Sequence, residues 1–144
     1  MYDEVSAGAV LILNDPDFPK EFLILNYSYG HRDFPKGNIE KGETELETVF
    51  REVSEETGIN DLQILDGFRQ QITYKYRKKS KLVNKAVIYY LAMTSTRKVM
   101  LSDEHTNFGW FNSDKALEKL SFENSRKVLR MANEFLSNAE KVIK

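Results

Sequence analysis

The sequence of 144 residues contains no cysteine and only three prolines. Without cysteine the chain cannot form a disulfide, an iron–sulfur cluster or a thiolate zinc site, so any bound metal needs other ligands. No run of residues approaches the roughly 20 apolar positions that a membrane-spanning helix needs. The opening residues, MYDEVSAG, lack the basic segment that begins a secretory signal. We therefore expect a cytoplasmic protein with no membrane partner.

The sequence also has little net charge, since the formal value at pH 7 is −1, which indicates no particular partner. The charges are nevertheless separated along the chain. Seven glutamates lie between residues 40 and 56, and six lysines or arginines without any acid lie between residues 75 and 85. An acidic and a basic segment in a small domain predict one site for a cation and one for an anion. Two solvated faces are the alternative interpretation.

Hydrophobic residues make up 41% of the chain, and no repeat or composition break divides it. We predict a single domain with its own core over residues 1–144. Apolar runs predict strands over residues 5–13, 22–27, 62–76, 82–93 and 107–111, a loop over 29–43, and helices over 113–120 and from about residue 123. Strands on both sides of a central helix predict the α/β class, with a mixed sheet between helices.

The central helix has recognisable start and stop signals. Thr44 and Glu47 form a capping box, in which the hydroxyl accepts a free backbone N–H and the glutamate reaches back. Gly58 is the kind of residue at which such a helix ends. The side chains expected to face the core recur at the helical period: Leu46, Val49, Phe50 and Val53.

Three carboxylates share another face of this helix. Glu52, Glu55 and Glu56 are spaced i, i+3, i+4, and such like charges repel by a few tenths of a kcal/mol. Arg51 is placed to pair with Glu47, which leaves the three without a basic partner on their own face. A divalent cation would relieve the repulsion, and oxygen ligands suit Mg²⁺, Mn²⁺ or Ca²⁺. A solvated acidic face is the alternative.

The spacing around these glutamates favours the metal. Gly37 is followed after five residues by Glu43 and after seven more by the run Arg51 to Ile59, REVSEETGI. This pattern matches all nine fixed positions of the Nudix box, so the chain is identified as a member of the Nudix family, with the box at residues 37–59. The resemblance implies an α/β/α sandwich with a loop–helix–loop metal site. It also implies a pyrophosphohydrolase that cleaves nucleoside diphosphates linked to another moiety.

The resemblance also implies roles for the residues of the box. Mg²⁺ is the expected cofactor, and Mn²⁺ can substitute for it. Arg51 and Glu43 are implied to orient the carboxylates, and Gly37 to let a backbone carbonyl approach the metal. The general base is left open between Glu52, Glu55 and Glu104. The residues that the resemblance places at the metal are Gly37, Glu52, Glu55, Glu56 and Glu104.

Two further segments resemble one subfamily, the asymmetrical diadenosine tetraphosphate hydrolases. They are YGHRDFPKG at residues 29–37 and LSDEH at 101–105, the latter followed by FGWF at 108–111. Arg32 stands where that subfamily typically has tryptophan. The resemblance implies water attack at phosphorus, with a dinucleoside polyphosphate as the substrate and ATP and AMP as products.

The same resemblance implies which side chains bind the substrate. His31 and Lys36 would face phosphates, and Lys85, helped by Lys81, would reach an inner phosphate. An adenine would stack on aromatic rings, at about 1–3 kcal/mol per base. Tyr74 and Tyr76 share one strand face and are not separable as the first ring, whereas the second ring is expected from a later segment. The implied substrate-binding residues are His31, Lys36, Tyr74, Tyr76, Lys81, Lys85 and Phe122.

Other functions compatible with the sequence differ in substrate or in class. A Nudix enzyme of this kind can act on 5′-triphosphate or capped RNA, diphosphoinositol polyphosphates or nucleotide sugars. A non-catalytic nucleotide-binding module usually lacks a carboxylate of the box, and here all are present. Nonspecific nucleic-acid binding by the basic segment predicts a steep salt dependence without turnover. We expect a monomer with no stable nucleic-acid partner.

Overall fold

The computed structural model describes the backbone of residues 1–143 and the side chains of residues 1–139, so Lys144 of the predicted domain lies outside the described residues. The strands are β1 (Glu4–Leu13), β2 (Glu21–Tyr27), β3 (Arg32–Asp33), β4 (Lys36–Asn38), β5 (Gln63–Lys78), β6 (Lys81–Thr94) and β7 (His105–Phe111). The helices are α1 (Glu45–Thr57), α2 (Ser113–Lys119) and α3 (Glu123–Ile143). None of these described helices is long and apolar enough to cross a membrane.

The strands form one mixed sheet in the order β3-β2-β1-β6-β5, with β4 paired to β1 and β7 paired to β2. The β1–β6 pair is parallel and the other pairs are antiparallel. Strand β1 is central because its first half pairs with β4 and its second half with β2. Its side chains alternate between two cores, as the period of two in a strand requires.

Each face of the sheet carries its own apolar core. Val10 and Ile12 of β1 point to the core under α2 and α3, whereas Ala7, Ala9 and Leu11 point to the core under α1. Helices therefore cover both faces, and the predicted α/β/α sandwich with a central mixed sheet is confirmed.

The capping signals of α1 act as predicted. Thr44 accepts the Glu47 N–H, Glu47 accepts the Thr44 N–H, and Gly58 ends the helix in the left-handed region at φ 75°. The predicted apolar stripe is wrong in half of its members. Val49 and Val53 are fully buried, but Leu46 and Phe50 are 37% and 42% exposed, because the helix turns Val49, Val53 and Glu56 toward the sheet instead.

The segment predicted as a loop over residues 29–43 contains two short strands. Strand β4 pairs with the start of β1, so that Gly37 lies opposite Ala7 and Lys36 opposite Gly8. A side chain at Gly8 would overlap the Pro35 carbonyl and Lys36. This close pairing holds the first residues of the box against the sheet, beside α1.

Candidate active site

Three carboxylates of α1 meet a fourth from the chain before β7 at one cavity of about 570 Å³. Glu52, Glu55, Glu56 and Glu104 line it together with residues of β4. The amide of Ser28 donates to the Glu104 carbonyl at 2.9 Å, which ties the second segment to the end of β2. Two predicted groups that are about 50 residues apart in sequence are thus brought together.

Glu56 is the most enclosed of these carboxylates, with 2% of the residue exposed. Its Oε1 accepts the backbone N–H of Lys36 at 3.4 Å, and Nε2 of His105 lies 3.3 Å from the same oxygen. The other oxygen, Oε2, is buried without any hydrogen-bond partner in the described structure. An enclosed carboxylate oxygen without a donor is suited to a cation ligand, since an unpaired buried charge is otherwise costly.

The crowded carboxylates have unusual acidities. Burial, followed by the neighbouring Glu56, raises the pKa of Glu52 to about 7. Burial, helped by the charge of Glu104, also raises the pKa of Glu56 to about 7, although the neighbouring Glu52 side chain and then Lys36 act against it. Ligand atoms of Glu56, Glu104 and His105 lie within 4.8 Å of one another. The oxygen-rich donor set and the orphaned oxygen of Glu56 fit a hard divalent cation.

Arg51 connects the loop to the acidic face. Its Nε donates to Glu43 Oε2 at 2.6 Å, and its Nη1 donates to Glu52 Oε1 at 2.7 Å and Glu55 Oε2 at 3.2 Å. The hydrogen bonds from Arg51 lower the pKa of Glu43 to about 2. Arg51 therefore lies where it can orient two of the predicted ligands.

The expected pair between Arg51 and Glu47 does not form in the structure. Glu47 accepts the Thr44 N–H at 2.8 Å in the capping box, whereas Arg51 turns toward the loop. There its Nη2 donates to the Asn38 carbonyl at 3.0 Å. The expectation that the three glutamates lack a basic partner was therefore wrong for Glu52 and Glu55.

Gly37 gives the carboxylate of Glu52 its space. A Cβ atom at Gly37 would overlap the Glu52 carboxylate, so no other residue fits there without displacing it. The φ angle of Gly37 is not positive, so its backbone conformation does not call for glycine. Glycine is needed here because of the close contact with the Glu52 carboxylate. The predicted approach of its carbonyl to a metal stays a prediction.

A second cavity, of about 690 Å³, adjoins the first. Both are lined by Tyr29, Lys36 and Lys85, which therefore stand between them. The Lys85 ammonium lies 3.7 Å from Glu4, and burial and the charge of Lys36 lower the pKa of Lys85. The second cavity also holds the remaining predicted substrate residues except Lys81: His31, Tyr74, Tyr76 and Phe122.

The two tyrosines that the sequence left undivided differ in the structure. The Tyr76 hydroxyl donates to Glu4 at 2.6 Å, and this bond raises the pKa of Tyr76 to about 12. Tyr74 is 36% exposed, and no such bond holds its hydroxyl in the described structure. Both tyrosines line the cavity, but Tyr76 is tied to Glu4 and Tyr74 is the more exposed of the two.

Lys81 lies away from the other predicted residues. It is the strand partner of Lys78 at the tip of the β5–β6 hairpin, where its side chain is exposed. It lines neither of these cavities.

His31 lines the second cavity, where its ring centroid lies 4.3 Å from that of Tyr29 and 5.0 Å from that of Phe122. Burial, and then the charge of Lys36, lowers the pKa of His31, which favours the neutral imidazole.

Some residues of the site carried no prediction. The Tyr27 hydroxyl donates to the Phe34 carbonyl at 2.8 Å, and its ring lies 4.4 Å from that of His105. The Asp33 carboxylate accepts the Ser125 hydroxyl at 2.8 Å beneath the second cavity. His105 closes the segment LSDEH but was given no role there, and Tyr27 gave no signal beyond its place in an apolar strand.

Comparisons with known proteins agree with this geometry. Residues 4–132 match the family described as the NUDIX domain. The rat protein named bis(5′-nucleosyl)-tetraphosphatase (asymmetrical) is 40% identical over 122 residues, which cover 81% of this chain and 80% of the rat protein. The Caenorhabditis elegans protein of the same name is 33% identical over 136 residues, covering 92% of this chain and 97% of its own.

The fold is similar to that of a solved relative over nearly its whole length. A crystal structure described as a C. elegans Ap4A hydrolase binary complex matches with a TM-score of 0.82 at 31% sequence identity. The match covers 94% of this chain and 98% of that one. The likeness therefore extends over nearly the whole described fold, including the sheet and helices on both of its faces.

Proposed function

The chain belongs to the Nudix family of hydrolases acting on acid anhydrides, and from this premise we propose that it is a Mg²⁺-dependent enzyme that cleaves diadenosine tetraphosphate into ATP and AMP. One observation carries the substrate class. A cavity lined by carboxylates adjoins a cavity walled by aromatic rings, with Lys36 and Lys85 between them. The carboxylate cavity would hold a metal-bound phosphate, the two lysines would bind the rest of the phosphate chain, and the aromatic rings would stack on a base.

The proposed metal ligands are the carboxylates around the first cavity. Glu52, Glu56 and Glu104 would hold Mg²⁺, or Mn²⁺ in its place, with Glu55 acting directly or through water. When bound, the ion neutralises phosphate charge and lowers the pKa of the attacking water. Arg51 orients Glu52 and Glu55 for this role through its hydrogen bonds to both.

The proposed substrate contacts follow from the second cavity. Lys36 and Lys85 would neutralise phosphates at the junction, and the rings of Tyr74 and Phe122 would stack on an adenine. His31, packed against Phe122, would donate to a phosphate as the neutral imidazole. Holding the chain of phosphates against the carboxylates fixes which phosphorus meets the water, and that choice decides between asymmetric and symmetric cleavage.

The proposed reaction adds water to one phosphorus atom and breaks its bond to a bridging oxygen. The proton of the water passes to a carboxylate, and the leaving nucleotide takes the bridging oxygen. Glu52, Glu55 and Glu104 all line the cavity and are the candidates for this base. Single-turnover rates of E52Q, E55Q and E104Q at saturating Mg²⁺, with Mg²⁺ binding measured for each variant, would distinguish them, because the base variant loses more rate than its loss of metal binding explains.

The test is product analysis after incubation with diadenosine tetraphosphate and Mg²⁺ in ¹⁸O-labelled water. We expect ATP and AMP, with the label in only one of them, which identifies the attacked phosphorus. Formation of ADP alone would contradict asymmetric cleavage. If the protein binds the metal but does not turn over diadenosine tetraphosphate, the proposed substrate is wrong.

A second candidate substrate is a 5′-triphosphate or capped RNA end. It is favoured by the exposed cations of the β5–β6 hairpin, of which Lys75 lines the second cavity and the others do not: Lys75, Arg77, Lys78, Lys79 and Lys81. A panel containing triphosphorylated RNA, a diphosphoinositol polyphosphate and a nucleotide sugar separates these alternatives by kcat/KM. The monomeric state and the cytoplasmic location stay predictions.

A further inference from the structure

His105 is a buried histidine that faces a buried glutamate. Its side chain is fully enclosed, and its ring lies edge-on to Tyr27 with 4.4 Å between centroids. Nε2 lies 3.3 Å from Oε1 of Glu56, whose side chain is 2% exposed. This nitrogen has no aligned hydrogen-bond partner in the described structure. An oxygen of a proposed metal ligand thus lies 3.3 Å from this nitrogen.

The other ring nitrogen of His105 has a hydroxyl partner that is compatible with a proton at Nε2. Nδ1 lies 3.0 Å from the Ser102 hydroxyl, which can donate to it. A neutral imidazole that accepts at Nδ1 carries its proton at Nε2 and presents an N–H to Glu56. The opposite tautomer would place a nitrogen lone pair against a carboxylate oxygen between two buried side chains, which is unfavourable.

The two oxygens of Glu56 differ in their surroundings. The backbone N–H of Lys36 and Nε2 of His105 both lie near Oε1, at 3.4 and 3.3 Å, whereas Oε2 is buried without a donor. We propose that His105 is a positioning residue that holds Oε1 of Glu56 and thereby leaves Oε2 for the divalent cation. The inference rests on the proposed function, because it takes Glu56 as a metal ligand.

Two other roles for His105 agree less well with these contacts. A residue that only filled space would not need a nitrogen, and an apolar ring would pack against Tyr27 equally well. A metal-ligating nitrogen needs a free lone pair, which the Nε2–H tautomer lacks. Side chains that orient a metal ligand through a hydrogen bond typically change metal affinity by about 10–100-fold when removed.

The test compares two polar substitutions that differ in reach. In His105→Gln the amide nitrogen extends to the position of Nε2, whereas in His105→Asn it extends only to the position of Nδ1. Binding of Mn²⁺ alone is measured by electron paramagnetic resonance of the free ion, and thermal unfolding and near-UV circular dichroism report the fold. We expect H105Q to bind Mn²⁺ nearly as wild type and H105N to bind it about 10–100-fold more weakly.

Ser102→Ala is the second variant, because it leaves the ring in place and removes the contact to Nδ1. We expect weaker Mn²⁺ binding in it, with a smaller change than in H105N. Unchanged affinity in S102A overturns the proposal if H105N does not fold. Equal affinity of all variants, or equal losses in H105Q and H105N, overturns it as well.

The remaining outcomes separate this inference from the proposed function. Nitrogen hyperfine coupling in the bound Mn²⁺ spectrum that disappears in H105Q would make His105 a ligand and overturn the positioning role. Wild-type protein that binds no Mn²⁺ would remove the proposed metal site and this inference together. A wild type that binds Mn²⁺ but cleaves no dinucleotide would remove only the proposed substrate.

Discussion

Arg51 joins Glu43 of the loop to Glu52 of α1: its Nε lies 2.6 Å from one carboxylate and its Nη1 lies 2.7 Å from the other. Glu43 lies in the chain between β4 and α1 and Glu52 lies in α1, so the guanidinium ties a proposed metal ligand to a second segment of the chain. A planar fork with several donors can do this, whereas the single ammonium of lysine cannot reach both partners with the same geometry.

Arg51→Lys therefore separates charge from geometry. We expect kcat/KM to fall by about 10–100-fold, because the carboxylates lose the donors that orient them. Arg69→Lys is the matched control, since Arg69 of β5 makes a similar bidentate pair with Glu45 of α1 that lines neither cavity. Steady-state kinetics that show equal losses in R51K and R69K would assign the effect to stability.

Glu56→Gln removes a charge and keeps the volume. We expect activity below about 1% of wild type, since charge stabilisation by a metal is worth several kcal/mol. The melting temperature of the metal-free protein should not fall, because the substitution removes a buried charge that has no partner at Oε2. Activity near the wild-type value at saturating Mg²⁺, measured by product release, would refute the metal assignment.

Phe122→Ala tests the aromatic cavity. Stacking on a base stabilises bound substrate and transition state alike, so we expect KM for diadenosine tetraphosphate to rise by about 5–100-fold with a smaller change in kcat. Phe18→Ala is the control, because Phe18 is an exposed aromatic residue in the chain between β1 and β2 and lines neither cavity. An unchanged KM in F122A would remove Phe122 from the site.

The stability of the metal-free protein should depend on pH through Glu52 and Glu56. Their pKa is raised to about 7 in the folded state, above the ordinary value of 4.5. The folded state then binds protons more tightly than the unfolded state, so stability decreases as pH rises from about 4.5 through 7. Thermal unfolding in a chelator at pH 5.5, 7 and 8 measures this.

Mg²⁺ should reverse that trend, because it binds the deprotonated carboxylates. We expect the melting temperature to rise more on addition of Mg²⁺ at pH 8 than at pH 6. E56Q, which has one fewer titrating group, should show a flatter dependence in the chelator. A wild type whose metal-free stability increases between pH 6 and 8 would contradict the raised pKa values.

The local part of the site could be predicted from the sequence. The capping box of Thr44 and Glu47, the end of α1 at Gly58 and the shared face of the glutamates depend on residues within one helix turn of each other. Which side chains of α1 are buried was predicted less well. Leu46 has the right period, but which side of a helix meets the sheet depends on strands far along the chain.

The roles of the remaining site residues depend on contacts between segments that are distant in sequence, so they could not be predicted from local patterns. Tyr74 and Tyr76 are equivalent in sequence, and only the hydrogen bond to Glu4 on β1, across 72 positions, separates them. Arg51 contacts Glu43 and the Asn38 carbonyl and not the predicted Glu47, because the pairing of β4 with β1 brings the loop beside α1. His105 carried no prediction, since its nearness to Glu56 arises from the pairing of β7 with β2.

The pairing of β4 with β1 has a consequence for how the enzyme can move. Gly37 lies in a strand that hydrogen-bonds to the centre of the sheet, so this segment can open only by local unfolding. Its amide protons should therefore exchange slowly, on the timescale of the sheet rather than of a loop. Entry and release of a nucleotide would then depend on rotation of exposed side chains such as Tyr74 and Phe122, which takes picoseconds to nanoseconds, and not on opening of the segment that holds Gly37.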